Sequence, residues 1–322
     1  MRSNKNLPSV AIIGAGRFAE RFHFPALKLL VQKKEVRVTG VFDLDPARAA
    51  AMSKQFGLGK VYGSKEGLAT DPEVEGIAVL VKLTVTFSVV KSLVPYKKPI
   101  FCEKPPGDNS REAKELGRIV KVPNVVAFNR RYTPMNVDFQ KTVAGMKDIF
   151  FAEAHFYRHE RTDDDFVRST GIHAVNLMEF ILGPMKLQRV DKWKNPNGKS
   201  FLWVAEVRFG KNARGLLKFF PSSGALIERI EVHSPASSAW LFSSHYDSSD
   251  YPGRIEIHEG KKVAIPFQGK TATSVLEASG FLGEWRDFLS TLRKSAETRS
   301  HFQNAWPSMA LAEAIQDGVA RK

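Results

Sequence analysis

The sequence predicts an α/β fold, with a doubly wound parallel sheet in an N-terminal domain, followed by a C-terminal α+β domain with a large, mostly antiparallel open sheet. Three observations carry this. A wholly apolar, β-branched run at residues 10–13 passes directly into a glycine-rich turn and then into helical sequence. Helical and strand patterns alternate from residue 9 to about 127, the sign of parallel strands joined by crossover helices. Beyond residue 130 the alternation gives way to strand-like stretches joined by short turns. With 322 residues, 43% of them hydrophobic, the chain is long enough for two domains. They are expected at 1–128 and 129–322, with C-terminal helices in 281–322 returning to pack on the first.

The first strand leads into the segment Ser9-Val-Ala-Ile-Ile-Gly-Ala-Gly-Arg-Phe-Ala-Glu20. Gly14 suits a tight turn, Gly16 lets backbone approach a ligand closely, and Ala19 takes the third position of G-x-G-x-x-G/A. Arg17 and Phe18 open the following helix, whose free amides would face a pyrophosphate. A second strand, residues 35–42, ends at Asp43, 27 residues beyond Gly16, about where an acid accepts hydrogen bonds from an adenosine ribose. Strand, loop, helix, strand and acid in this order point to a bound dinucleotide. Asp43 accepting from both ribose hydroxyls would favour NAD, while nearby Arg48 leaves NADP as the alternative.

Asp45-Pro46 opens a helix through Phe56 that stops at Gly57. Residues 61–62, 76–81 and 99–102 read as the third to fifth strands, Ser110 starts an amphipathic helix, and residues 124–128 close the sheet. The fifth strand delivers Glu103-Lys104-Pro105 to the carboxyl edge of the sheet, where ligands of open parallel sheets bind; Pro105 pushes Lys104 into an extended conformation. In the second domain a helix is expected at 134–147, a strand at 149–157, a helix at 173–182, and strands at 201–209, 215–220 and 228–233. Asn197-Gly198 and Gly210-Lys-Asn212 read as turns. Phe281, Trp285, Phe288, Leu289 and Leu292 recur at helical spacing near the end.

Composition narrows the function. The formal net charge of +14 is spread from end to end, without a recognition-helix or zinc-finger pattern, so it reads as a solvated basic surface and not a specific nucleic-acid site. There is no apolar run of membrane-spanning length and no signal-peptide core after Met1, and the one cysteine, Cys102, fits a reducing cytoplasm. His155 and His159 share a strand face with Glu153, but no third ligand follows at convincing spacing, so no metal is expected.

Glu103-Lys104-Pro105 after an apolar strand, Gly14-Ala-Gly16, His23-Phe-Pro25-Ala-Leu27, Val41-Phe-Asp43, Asn129-Arg-Arg-Tyr-Thr-Pro134 and Gly171-Ile-His173 before a helix ending at Gly183 together resemble the Gfo/Idh/MocA family of NAD(P)-dependent sugar and polyol oxidoreductases. The resemblance implies an N-terminal Rossmann domain and hydride transfer between a nicotinamide cofactor and a secondary alcohol or ketone of a sugar, inositol or related polyol. It also implies association of like copies into a dimer or tetramer. It places Lys104 and His173 at the reaction, with His173 taking the hydroxyl proton and Lys104 holding the oxygen. Glu103 and Lys104 would also border the cofactor, and Arg131, Tyr157, Arg158, Ser169 and Thr170 the substrate; Trp193, His245 and Tyr246 are weaker candidates. The chain departs from the family pattern at Ser169, four residues before His173, and at Asn176, three after it, where aspartates are usual. Serine is no carboxylate base, so His173 would act alone or with Asp163, Asp164 or Asp165. A redox-cycling glycosidase and a non-catalytic dinucleotide-binding sensor remain alternatives.

Overall fold

The computed structural model describes residues 7–318 except 197, 272–273 and 294–296. Most of the N-terminal stretch from Met1, and Asn197 of the expected Asn197-Gly198 turn, therefore lie outside the described residues. The chain divides into two compact units, one containing the residues up to Asn129 together with Phe281–Pro307, the other Arg130–Gly280 and the residues from Ser308.

In the first unit, β1 (Ser9–Ile13), β2 (Arg37–Phe42), β3 (Lys60–Val61), β4 (Gly76–Val79), β5 (Ile100–Cys102) and β6 (Asn124–Val126) form one parallel sheet in the order β3-β2-β1-β4-β5-β6. This is the doubly wound order whose direction reverses beside β1, the place where such sheets bind ligands. The crossover helices are α1 (Phe24–Gln32), α2 (Pro46–Phe56), α3 (Lys65–Thr70), α4 (Leu83–Leu93) and α5 (Ser110–Ile119). Local chemistry sets their starts: the Asp45 side chain accepts from the Arg48 amide ahead of α2, and Asn109 accepts from the Glu112 amide ahead of α5. Every residue of β1, β4 and β5 is buried, as the apolar runs require.

The second unit begins with α6 (Pro134–Ala144), β7 (Phe151–Tyr157) and α7 (Ile172–Leu182). It continues through β8 (Met185–Lys194), β9 (Phe201–Phe209), β10 (Ala213–Phe220), β11 (Ile227–His233), β12 (Ser238–Phe242), β13 (Arg254–Glu259), β14 (Lys262–Gln268) and the short α8 (Val275–Ala278). Its eight strands run in the order β14-β13-β12-β11-β7-β10-β9-β8, antiparallel except where β10 lies parallel to β7. Alternation divides the two faces. Ile230 and Val232 of β11, Ala239 and Leu241 of β12, and Trp203 and Ala205 of β9 are buried, while their strand neighbours stay half-exposed. The exposed strands β8 and β14 form the two edges. The charged residues of β8 obscure its strand periodicity and Pro266 interrupts that of β14, a reason such edges are hard to read from sequence.

α9 (Phe281–Thr291) belongs to the first unit, and α10 (Phe302–Asp317) contributes residues to both. Trp285 of α9 stacks on Phe101 of β5 at 4.3 Å between centroids, and both side chains are fully buried. The apolar spacing of α9 is thereby accounted for by a parallel sheet strand.

Candidate active site

In the first unit, the loop after β1 separates two kinds of glycine. Gly14 has φ +103°, and a Cβ there would lie 2.3 Å from the Leu80 carbonyl oxygen, so the fold itself requires glycine. At Gly16 a Cβ would meet no protein atom within 4 Å. The fold therefore leaves open space where a ligand phosphate could approach. Arg17 and Phe18 follow on the exposed start of the helix; Phe18 packs its ring against Phe22 and Phe281 at 4.9 and 6.1 Å. The helix passes through a π-helical turn at Ala19–His23 before α1.

Asp43 braces this loop. Its Oδ2 accepts from the Ala15 amide at 2.7 Å and its Oδ1 from the Asp45 amide at 2.9 Å. Each carboxylate oxygen keeps a second lone pair, so Asp43 can hold the loop and still accept from ribose hydroxyls. At the end of β5 the half-buried Glu103 carboxylate accepts from the Lys104 amide at 2.9 Å through Oε2, while Oε1 lies 2.6 Å from Nε2 of fully buried His23. Lys104 is half-buried at the carboxyl edge of the sheet. Thus Gly14, Gly16, Arg17, Phe18, Asp43, Glu103 and Lys104 all lie at or next to the carboxyl ends of β1, β2 and β5.

The second unit treats its candidates differently. Its charged residues close on one another. Glu228, on the buried parity of β11, is gripped by Arg130 through two bonds, Nη2 to Oε1 at 2.7 Å and Nε to Oε2 at 3.3 Å, and by Arg158 Nη2. Burial alone would raise the Glu228 carboxyl, but the two guanidiniums overcome it and hold the group well below the usual carboxylate range. Arg158, expected at the substrate, is instead buried within this triad, with its guanidinium 3.8 Å from the Phe156 ring centroid. Arg131 is also internal: its Nε donates to Asn176 Oδ1 at 2.7 Å, and Asn176 Nδ2 donates to Ser308 Oγ at 2.8 Å. Asn176, which departs from the family pattern, thus links Arg131 to Ser308.

His173, at the start of α7 and 7% exposed, touches the same triad through Arg130 Nη1, 3.2 Å from its Nε2. A guanidinium only donates, so Nε2 accepts and the proton of the neutral ring resides on Nδ1. The ring nitrogen available to take a proton therefore faces a permanent cation. Ser169 and Thr170 occupy a π-helical turn just before α7. The Ser169 hydroxyl lies 3.4 Å from Asp165 Oδ1 and 3.5 Å from the Thr170 hydroxyl, making Asp165 the loop aspartate next to the site. Asp163 instead pairs with Arg161 at 2.6 Å.

Tyr157 stands on the other face of β7. Burial and the Glu153 charge push its hydroxyl up to about 12, and it lies 2.9 Å from His155 Nδ1. Glu153, His155 and Glu231 bring potential ligand atoms within 4.8 Å of one another, whereas His159 contacts the Ser223 carbonyl. Lys218 already pairs with Glu153. Burial would lower His155, but Glu153 and Glu231 outweigh it and raise the imidazole. Glu231, on β11, which pairs with β7, is thus a third potential ligand that sequence spacing did not reveal. Trp193 lies exposed on β8, and His245 stacks on Tyr246 at 4.5 Å.

Sequence reasoning passed over Arg130 and Glu228. The available signal was strand parity: Glu228 shares the inward positions of Ile230 and Val232, and a carboxylate there needs cationic partners.

Residues 9–130 match the Gfo/Idh/MocA family, described as an oxidoreductase family with an NAD-binding Rossmann fold. Residues 9–130 therefore carry the NAD-binding Rossmann fold of this family. It is 24% identical over 189 residues to myo-inositol 2-dehydrogenase of Thermotoga maritima, covering 54% of each chain. It is 21% identical over 345 residues to inositol 2-dehydrogenase of Rhizobium meliloti, covering 97% of this chain and 96% of that one. Several relatives are matched over only 37% to 54% of their own length. Among solved structures, a dehydrogenase (MviM) from Clostridium difficile superposes with TM-score 0.82 at 17% identity, covering 98% of this chain and 100% of that one. At that identity the likeness concerns the fold. Among the described residues, no helix is long and apolar enough to cross a membrane.

Proposed function

We propose that this protein is an NAD(H)-dependent oxidoreductase acting on a secondary alcohol or ketone of a sugar, inositol or related polyol. The observation that carries the cofactor assignment is Gly16, where a Cβ would meet nothing within 4 Å although Gly14 beside it is packed tightly. Asp43 adds acceptors for ribose hydroxyls and repels a 2′-phosphate, favouring NAD over NADP. The substrate class rests on the relatives named as inositol dehydrogenases.

When bound, the nicotinamide supplies the hydride acceptor or donor. This chain's residues hold the cofactor and handle the proton and the charge on oxygen. Lys104 is assigned the reacting oxygen, whose developing charge its ammonium stabilises. His173, oriented by Arg130, is assigned the proton: once Arg130 releases Nε2, that nitrogen takes the substrate hydroxyl proton on oxidation and returns it on reduction. Ser169 and Thr170 are assigned substrate hydroxyls. The assembly is assigned as a homo-oligomer, a dimer or tetramer, to be measured by sedimentation.

A second reading is a non-catalytic dinucleotide-binding sensor, favoured by the guanidinium on His173 Nε2 and by serine at 169. Screening sugars, inositols and polyols for cofactor absorbance change separates the two. Turnover supports the enzyme; tight dinucleotide binding without turnover on any of them supports the sensor.

A further inference from the structure

Fully buried His23 is not used by the chemistry above, yet its ring lies between α9 and the end of β5. Trp285 Nε1 lies 3.1 Å from His23 Nδ1. An indole N–H only donates, so Nδ1 must accept, and the ring proton is placed on Nε2. Nε2 then donates to Glu103 Oε1 at 2.6 Å, a charge-assisted bond. The other Glu103 oxygen accepts from the Lys104 amide at 2.9 Å. Donation thus runs in one sense from Trp285 through His23 to Glu103, and Glu103 holds the Lys104 backbone from the opposite side. The ring has little freedom to turn: Phe101, Phe281 and Trp285 meet it edge-on, with centroids at 5.6 to 5.8 Å. A second carboxylate, Glu284 Oε1, lies 4.0 Å from Nδ1.

We propose that His23, set in one tautomer by Trp285, is a positioning residue for Lys104: through Glu103 it fixes the backbone from which the lysine ammonium reaches the reacting oxygen. This rests on the oxidoreductase reading for its catalytic consequence, but the tautomer does not depend on that reading.

Two measurements test it. Long-range ¹H–¹⁵N NMR of the full chain should show His23 with a bare Nδ1 and a protonated Nε2, and Trp285→Phe should shift the Nδ1 resonance. The opposite tautomer overturns the relay whether or not the protein turns over any substrate. In kinetics, His23→Phe should lower kcat about 10- to 100-fold, the scale of a displaced reacting group, with the NAD dissociation constant changed less than about threefold. His23→Gln, which keeps an N–H toward Glu103, should restore much of that loss and also serves if the phenylalanine variant does not fold. His23→Phe added to Lys104→Ala should cost little more than Lys104→Ala alone, because one acts through the other. Unchanged kcat in His23→Phe, or fully additive losses, overturns the proposal. An inactive parent overturns the functional reading instead, leaving the NMR result to decide the relay.

Discussion

The strand ends of the first unit and the start of α7 in the second are both rich in polar groups, but they use them in opposite ways. Around Gly16 and Asp43 the chain brings hydrogen-bonding groups to an open surface, with Asp43 tied to two backbone amides and still able to accept more. Around His173 the charges are spent on each other: Arg130 and Arg158 neutralise Glu228, and Arg131 is tied through Asn176 to Ser308. A site that waits for a ligand leaves backbone and lone pairs uncovered. A site that organises a helix start in a buried interior must satisfy its charges internally, because each unpaired one costs several kcal/mol.

The sharpest way to break this comparison is Glu228→Gln. It leaves two buried guanidiniums without their anion and should cost about 3–5 kcal/mol of stability, measured by denaturant unfolding. The pH dependence has a defined sign. Glu228 binds its proton less readily folded than unfolded, so the unfolded state holds more protons in acid. The stabilisation is complete above the ordinary carboxylate value of about 4.3 and is lost as pH falls through that value toward the lower folded one. The variant should lose less stability than the parent over that interval; parallel stability curves would show that Glu228 is not held low.

Gly16→Val should do the reverse, weakening NAD binding more than about 100-fold, near 3 kcal/mol, while the melting temperature stays close to that of the parent. Calorimetric titration checks it. The same substitution at Gly14 should destabilise the fold, since Cβ there meets the Leu80 carbonyl oxygen. If both variants merely unfold, the distinction between the two glycines is wrong.

Lys104→Ala should lower kcat by about 100-fold, the scale of a positioned proton-transfer or charge-stabilising group, with NAD affinity nearly unchanged. Steady-state rates on whichever polyol gives turnover provide the check, and full activity would move the chemistry away from the end of β5. The smallest effect is expected from Ser169→Asp. A carboxylate there would stand beside Asp165, and like charges oppose each other, so rates should change by only about a few-fold. A large gain would mean that serine had weakened a proton relay.

Local sequence determined much of this molecule. Apolar runs, the Gly14 and Gly16 spacing, Asp43 after β2 and Lys104-Pro105 after β5 are each readable within a few residues, because strand burial and turn geometry are short-range constraints. The antiparallel character of the second sheet was legible from its alternating strands, but its edge strands were harder to see, β8 because of its charges and β14 because of Pro266. Long-range pairing decided the rest. Arg158, expected at the substrate, is paired with Glu228, 70 residues away, a partner that no local pattern reveals. Arg130 reaches His173 across 43 residues, and Trp285 reaches His23 across 262. Sequence supplies the ionisable and hydrogen-bonding groups. Which of them remain open to a ligand and which are satisfied internally depends on burial and on partners brought near by the tertiary fold, since the cost of an unmet charge arises only once water has been excluded.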